Sequence, residues 1–313
     1  MKSRIKVIIA SLFMIVILVG CNIDLFGEYE MVSVDETVND VTGIFDLIKV
    51  DVICTNINLV ADDRDNILIK LTGEKSKNVK HQLKVNKVDD CLEILIDFNK
   101  LSGLRSIDFK LDIHIPKNYV QSMDLTTSSG DITIKDFTLD NLALDLSSGD
   151  SSLQNITSNK LSLAISSGDT TIDKVDANSF DFSASSGMLT ANELTTDTFK
   201  YGVTSGDIKI EKFRGDICGE GSSADIEFNY SEFDNEIAIE ATSGDVTINL
   251  PNTAEFNLAA KVSSGNIVCD FPILTQGKQE DDVLNGTVIS ADNKINIQTS
   301  SGDILIKYLI KDE

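Results

Sequence analysis

From Ser128 onward, apolar residues fall at every second position in short runs. Ile132 and Ile134 lead to Phe137, then to Leu142, Leu144 and Leu146; the next unit carries Leu153, Ile156, Leu161, Leu163 and Ile165. A period of two marks a strand with one buried face, and the i, i+3, i+4 spacing of a helix is missing from this region. The pattern predicts two short strands per unit.

Each unit closes on one phrase, Ser-Ser-Gly-Asp or a near variant. It opens at Ser128, Ser147, Ser166, Ser185 and Thr204, 19 residues apart. It recurs at Ser222, Thr242 and Ser263 after 18, 20 and 21 residues, and at Ser300 after 37. One such unit cannot bury its own apolar face, but a stack of them can. The expected fold is therefore all-β: a single-stranded parallel β-solenoid, or β-helix, with coils of about 19 residues and a rung spacing of roughly 4.8 Å. One inward ladder should contain Ile132, Leu189, Ile208, Ile226, Val246, Ile267 and Ile304. The next should contain Ile134, Leu153, Ile172, Ile210, Phe228, Ile248 and Ile306. Gly130, Gly149, Gly168, Gly187, Gly206, Gly244, Gly265 and Gly302 mark the corners, where the chain turns with positive φ or two backbones approach closely. Ala224 takes the glycine place in the sixth unit, so that corner is either strained or built differently.

These SSGD-I-x-I units resemble the bacterial putative-adhesin β-strand-repeat family, a domain of unknown function found in envelope proteins. Asp270-Phe271-Pro272, Leu284-Asn285-Gly286-Thr287 and the run from Ile295 to Ile304 extend the likeness, which covers roughly residues 43 to 311. The resemblance implies a parallel β-solenoid in a cell-surface setting and supplies no catalytic residues.

The start of the chain reads as an export signal. Lys2, Arg4 and Lys6 precede an apolar run from Val7 to Val19, short for a membrane span and the right length for a signal core. Leu18-Val19-Gly20-Cys21 has the lipobox pattern, with a small residue before the cleaved bond and a thiol to take the lipid. Residues 1–20 are thus expected to be a lipoprotein signal peptide and Cys21 the lipidation site, with an uncleaved anchor helix as the alternative. The lipid would hold the chain to a membrane, outside the cytoplasm. Residues 21–42 are acidic and weakly patterned, which suggests a tether. Residues 43–127 hold less regular alternating runs, read as the first, longer coils and a cap on the open end of the stack, within the same domain as 128–313.

Acidic residues number 50 against 27 basic, a formal net charge of −23. That balance excludes nucleic acid as a simple electrostatic partner and suits cations or basic partners. Cys54, Cys91, Cys218 and Cys269 lack zinc-ligand spacing, and Cys54 and Cys269 fall at positions read as inward. The conspicuous chemical feature is a row of aspartates. Asp131, Asp150, Asp169, Asp207, Asp225, Asp245 and Asp303 share one repeat position, interrupted by Met188 and Asn266. Calcium would relieve their repulsion. The plainer reading, which we adopt, is that aspartate caps turn amides; no other cofactor is expected.

His81 and His114 are the only histidines, and no serine sits in a nucleophile elbow. The expected function is non-enzymatic: a rigid surface lipoprotein for adhesion or contact with an envelope protein or glycan. An envelope-stress sensor is the alternative. A carbohydrate-active enzyme is a third possibility; it would need a groove with paired carboxylates and aromatic rings.

Overall fold

Alternation becomes strand throughout. The computed structural model describes residues 30–99, 106–275, 281–289 and 292–310. In chain order these contain β1 (Met31–Val41), β2 (Leu47–Asp62), β3 (Ile67–Ser76), β4 (His81–Val88), β5 (Cys91–Phe98), β6 (Ile107–Pro116) and β7 (Ser122–Ser129). Five long strands follow: β8 (Ile132–Ser148), β9 (Ser151–Ser167), β10 (Thr170–Ser186), β11 (Leu189–Ser205) and β12 (Ile208–Ser223). Shorter ones complete the chain: β13 (Ile226–Tyr230), β14 (Ile237–Ser243), β15 (Val246–Leu250), β16 (Phe256–Ser264), β17 (Ile267–Cys269), β18 (Leu274–Thr275), β19 (Val283–Val288), β20 (Lys294–Ser301) and β21 (Ile304–Tyr308).

Each long strand is one coil, and it has three inward runs rather than the expected two strands. In β8 these are Ile132 and Ile134, then Phe137 and Leu139, then Leu142, Leu144 and Leu146. Between runs two consecutive residues face outward, Lys135-Asp136 and Asp140-Asn141, so the strand bends without ending. At the first bend Asp136 and Asn155 adopt φ of 61° and 52°, a left-handed conformation that short polar side chains tolerate. The coil thus has a broad side (Leu142 to Leu146), a narrow side (Ile132 to Ile134) and a short side between them. The Ser-Ser-Gly-Asp corner joins the broad side to the narrow.

Stacking is parallel and in register. Ile132 lies opposite Ser151, then Thr170, Leu189, Ile208, Ile226 and Val246. Ser151 and Thr170 sit in the middle of an apolar ladder and satisfy each other, hydroxyl to hydroxyl, at 2.9 Å. The 18-residue spacing has a local cause. Between β11 and β12 the register slips, and Gly215, at φ +142°, turns the bend with one residue fewer; a Cβ there would lie 2.1 Å from the Thr196 carbonyl oxygen. Rings fill the interior from Phe180 onward: Phe180 meets Phe199 at 5.0 Å, Phe213 meets Phe228 and Tyr230 at 5.1 Å, and Phe256 meets Phe271 at 5.3 Å, all within the range for aromatic packing.

At both ends the stack departs from chain order. On the broad side the order is β4, β5, β2, β7, β8 to β12, β14, β20, β16, β19, β18. On the narrow side β1, β3 and β6 precede β2, and β13, β15, β21 and β17 follow β12. β2 therefore lies between the β5–β6 coil and the β7–β8 coil, and β20–β21 lies between β14–β15 and β16–β17. The 37-residue interval is the chain running out through β18 and β19 and returning one level inward. Antiparallel strands cover the ends, with β1, β3 and β4 at one and β18 and β19 at the other, where open edges would invite pairing with other chains.

One expectation is corrected here. Residues 31–41 are not tether but strand β1, paired antiparallel with β3 from Met31↔Ser76 to Val41↔Ile67, with Val34 and Val41 buried. Asp35 and Asp40 are its outward acidic residues, while Glu36 lies on the face of Val34 and reaches His81. The signal segment, Cys21 and residues 22–29 lie outside the described residues.

Candidate functional site

The repeated corner explains its own sequence. Gly149 N–H donates to the Ser167 carbonyl of the next coil at 3.2 Å, and Ser151 N–H to the Asp169 carbonyl at 2.9 Å. Between them Gly149, at φ +126°, turns the chain so closely over its neighbour that a Cβ would lie 2.2 Å from the Gly130 carbonyl oxygen. The intervening Asp150 N–H takes a side-chain acceptor: Asp131 Oδ1, one coil earlier, at 2.9 Å. The same bond recurs from Asp169 to Asp150 (2.8 Å), Asp225 to Asp207 (3.0 Å), Asp245 to Asp225 (2.8 Å) and Asp303 to Asp245 (2.8 Å). Asn56 Oδ1 starts the series by accepting from Asp131 N–H at 2.9 Å, and Asn266 N–H ends it on Asp303 at 2.7 Å. Between two amides already bonded to the next coil this exposed amide points along the stack, and aspartate supplies it one acceptor per rung.

Met188 donates its N–H to Asp169 at 2.8 Å but has no oxygen to offer Asp207. Gly130, Gly149, Gly168, Gly187, Gly206, Gly244, Gly265 and Gly302 all have φ between 112° and 154°. Ala224 has no positive φ and is only 3% exposed, so its corner is built differently. Among the described residues no group of three or more His, Cys, Asp or Glu is arranged to hold a metal ion.

The remaining chemical groups are dispersed. His114 Nδ1 lies 3.2 Å from Asp62 Oδ2. The Asp63 amide, with His114 and Arg64, holds the Asp62 carboxyl below its ordinary pKa. His81 packs its ring on Phe109 at 4.9 Å, with Nε2 2.9 Å from Glu36 Oε1. Cys54 is not inward: it occupies the corner place of Ser129, half exposed, because β2 carries its inward side on Val52 and Thr55. Cys218 faces outward, Cys91 and Cys269 are half-buried, and burial raises the thiol pKa of both.

A site that the sequence does not single out lies on the outer surface of the broad side. It is an open groove of about 520 Å³. One wall is a rung-by-rung row of Gly202, Glu220, Glu240, Gln298 and Lys261. Beside it runs a row of hydroxyls: Thr204, Ser222, Thr242, Ser300 and Ser263. Around Gly202 the groove is open, since a Cβ there would meet nothing within 4 Å. On neighbouring rungs elsewhere some outward charges are paired, as in Lys174–Glu193 at 2.7 Å. Here Glu220 and Glu240 occupy adjacent rungs, a like-charge arrangement that costs stability. Among the described residues nothing pairs with them. The row exists only because β20 returns between β14 and β16 and places Gln298 between Glu240 and Lys261; the 37-residue interval is its one trace in the sequence. Two carboxylates are present, but no aromatic ring lines the groove.

A search of curated proteins found no match. Among solved structures, a "putative lipid binding protein" from Parabacteroides distasonis is 14% identical, with a TM-score of 0.52; the alignment covers 89% of this chain and 97% of that one. A "putative adhesin" from the same organism is 13% identical over 90% and 98% of the two chains, with a TM-score of 0.47. The family described as Toastrack DUF4097, a domain of unknown function, matches residues 45–307. With that span reaching from the coil of β2 to that of β21, the chain belongs to the Toastrack DUF4097 family.

Proposed function

We propose that this chain is a non-enzymatic binding protein of the bacterial cell envelope, held outside the cytoplasm by a lipid on Cys21. Its solenoid serves adhesion or contact with another envelope component through the groove on the broad side. The groove carries this reading: Glu220, Glu240, Gln298, Lys261 and the hydroxyl row are polar groups that the fold itself leaves unused. They stand on hydrogen-bonded strands, so they need little ordering on binding. A net charge of −23 favours cationic surfaces over nucleic acid.

Two experiments test it. The chain expressed in a bacterium should incorporate a fatty-acid label and fractionate with membranes, and Cys21→Ser should lose both. A soluble form without the lipid should sediment with envelope fragments from that bacterium. Gly202→Trp, which fills the groove from an open position, should abolish this sedimentation. Sedimentation unchanged by Gly202→Trp and by Glu220→Gln/Glu240→Gln together would remove the groove from the proposal. Failure of labelling would remove the anchor.

A further inference from the structure

The coil of β20 and β21 is out of chain order, and its surroundings treat it as an insert. Ile295 lies opposite Ile237 on one side and Leu258 on the other; Ser301 lies opposite Ser243 and Ser264. Ile304 lies opposite Val246 and Ile267 in the same way. With the insert withdrawn, β14–β15 and β16–β17 face each other in matching register and can pair directly. Opening therefore gives up one coil and leaves the rest of the stack able to close.

The corner bonds that hold the insert are generic to the repeat; Lys294–Glu236 at 3.3 Å and the Phe271–Tyr308 ring contact at 4.3 Å are its own. Gly302 N–H donates to the Ser264 carbonyl at 3.0 Å, Asp303 N–H to Asp245 Oδ1 at 2.8 Å, and Asn266 N–H to Asp303 Oδ1 at 2.7 Å. An identical coil from another molecule would make each of them equally well. The approach to the insert is strained as well. Between β19 and β20, Ile289 adopts φ +62° and is 74% exposed. A β-branched residue in the left-handed region is a genuine outlier, and no burial compensates it. A strained hinge beside a separable element is the arrangement that favours exchange between copies.

We infer that this coil is exchanged between two copies of the chain. β20–β21 of one copy fills the slot between β14–β15 and β16–β17 of the other, and reciprocally, giving a two-fold dimer in which Ile289 relaxes. The partner is a second copy, so the exchange would join two displayed molecules. It stands independently of what the groove binds.

Thr247 and Leu305 face outward directly opposite each other on β15 and β21, at a parallel-strand spacing of about 4.8 Å that suits a disulfide. In a background with Cys21, Cys54, Cys91, Cys218 and Cys269 all changed to Ser, Thr247→Cys/Leu305→Cys chains are incubated at rising concentration just below the melting temperature, then oxidised. A non-reducing gel reads the outcome. Exchange predicts a covalent dimer whose fraction grows with concentration, mixed dimers between two differently tagged chains, and an at least threefold lower dimer fraction with Ile289→Gly. Cross-linked monomer alone at every concentration would overturn the proposal. So would a dimer by light scattering whose disulfides stay within each chain. The wild-type chain is followed by light scattering after the same incubation, and a monomer at all concentrations overturns the proposal whatever the cysteine pair does.

Discussion

At the scale of single residues, the corner aspartates are main-chain acceptors carried on side chains, and Met188 is the rung where the series fails. Asn56 already performs the acceptor role with a neutral amide. Met188→Asn should therefore give Asp207 N–H its missing partner without adding charge and stabilise the fold by about 1 kcal/mol; a rise in melting temperature checks this. Two glycines separate backbone need from mere absence of a side chain. Gly168→Ala places a Cβ 2.0 Å from the Gly149 carbonyl oxygen at φ +137° and should cost about 3 kcal/mol. Gly202→Ala meets nothing and should be neutral or slightly stabilising. Equal effects in chemical denaturation would contradict both assignments. Tyr201 is a further case. Its ring occupies the space left by Gly219, where a Cβ would fall 2.0 Å from it, and its hydroxyl is buried without a partner. Burial pushes its pKa up. Tyr201→Phe should raise stability by about 1 kcal/mol, because the hydroxyl's desolvation is uncompensated. Glycine and aspartate at the corners are legible from sequence, since one local geometry demands both. The groove is not, since its members lie on strands far apart in the chain.

At the scale of strands, alternation announces each element but not its place in the stack. β20 would suit any neighbour in the repeat, because each coil presents the same inward apolar row and the same corner. Order is decided by the connections: β18 and β19 carry the chain outward to cover β16, and only an inward return leaves them as the covering layer. β1 was illegible for a different reason. Asp35 and Asp40 face solvent on an edge strand, where charge is an ordinary guard against edge-to-edge pairing, so composition hides a strand behind the look of a tether. The prediction is direct. Amides of β1 whose ladder partners lie in β3, such as those around Val34 and Val38 opposite Gly73 and Ile69, should resist hydrogen exchange well above the level of a free segment. Exchange there at the rate of an unstructured peptide would detach β1 from the sheet.

At the scale of the whole molecule, the stack is a one-dimensional array in which each level leans on the next, so a weakness at one end is read first at that end. The level formed by β2 and β6 holds two carboxyls below their ordinary pKa. Asp112 is half-buried, and burial alone would raise it. The Asn58 amide at 2.7 Å and the Lys110 ammonium at 2.9 Å outweigh that and lower it. Asp62 is lowered chiefly by the Asp63 amide and then by His114. A carboxyl whose pKa is lower folded than unfolded contributes stability above the unfolded value, near 4, and loses it as pH falls through the folded value. The molecule's net charge of −23 acts the other way, since self-repulsion eases as carboxylates protonate. Comparison of the wild type with Asp112→Asn cancels that shared effect. At pH 7 the variant should melt about 1–3 °C lower, equivalent to about 1 kcal/mol or less for a partly exposed group. The two curves should converge below pH 4, where wild-type Asp112 is itself becoming protonated. Hydrogen exchange at a pH well below 4, where these carboxyls protonate in the folded state, should show β2 and β6 opening before β9 to β11. A gap between the melting curves that never narrows as the acid range is scanned to the point of unfolding would show that Asp112 contributes by shape alone, and simultaneous opening of all levels would show a stack that unfolds as one cooperative block.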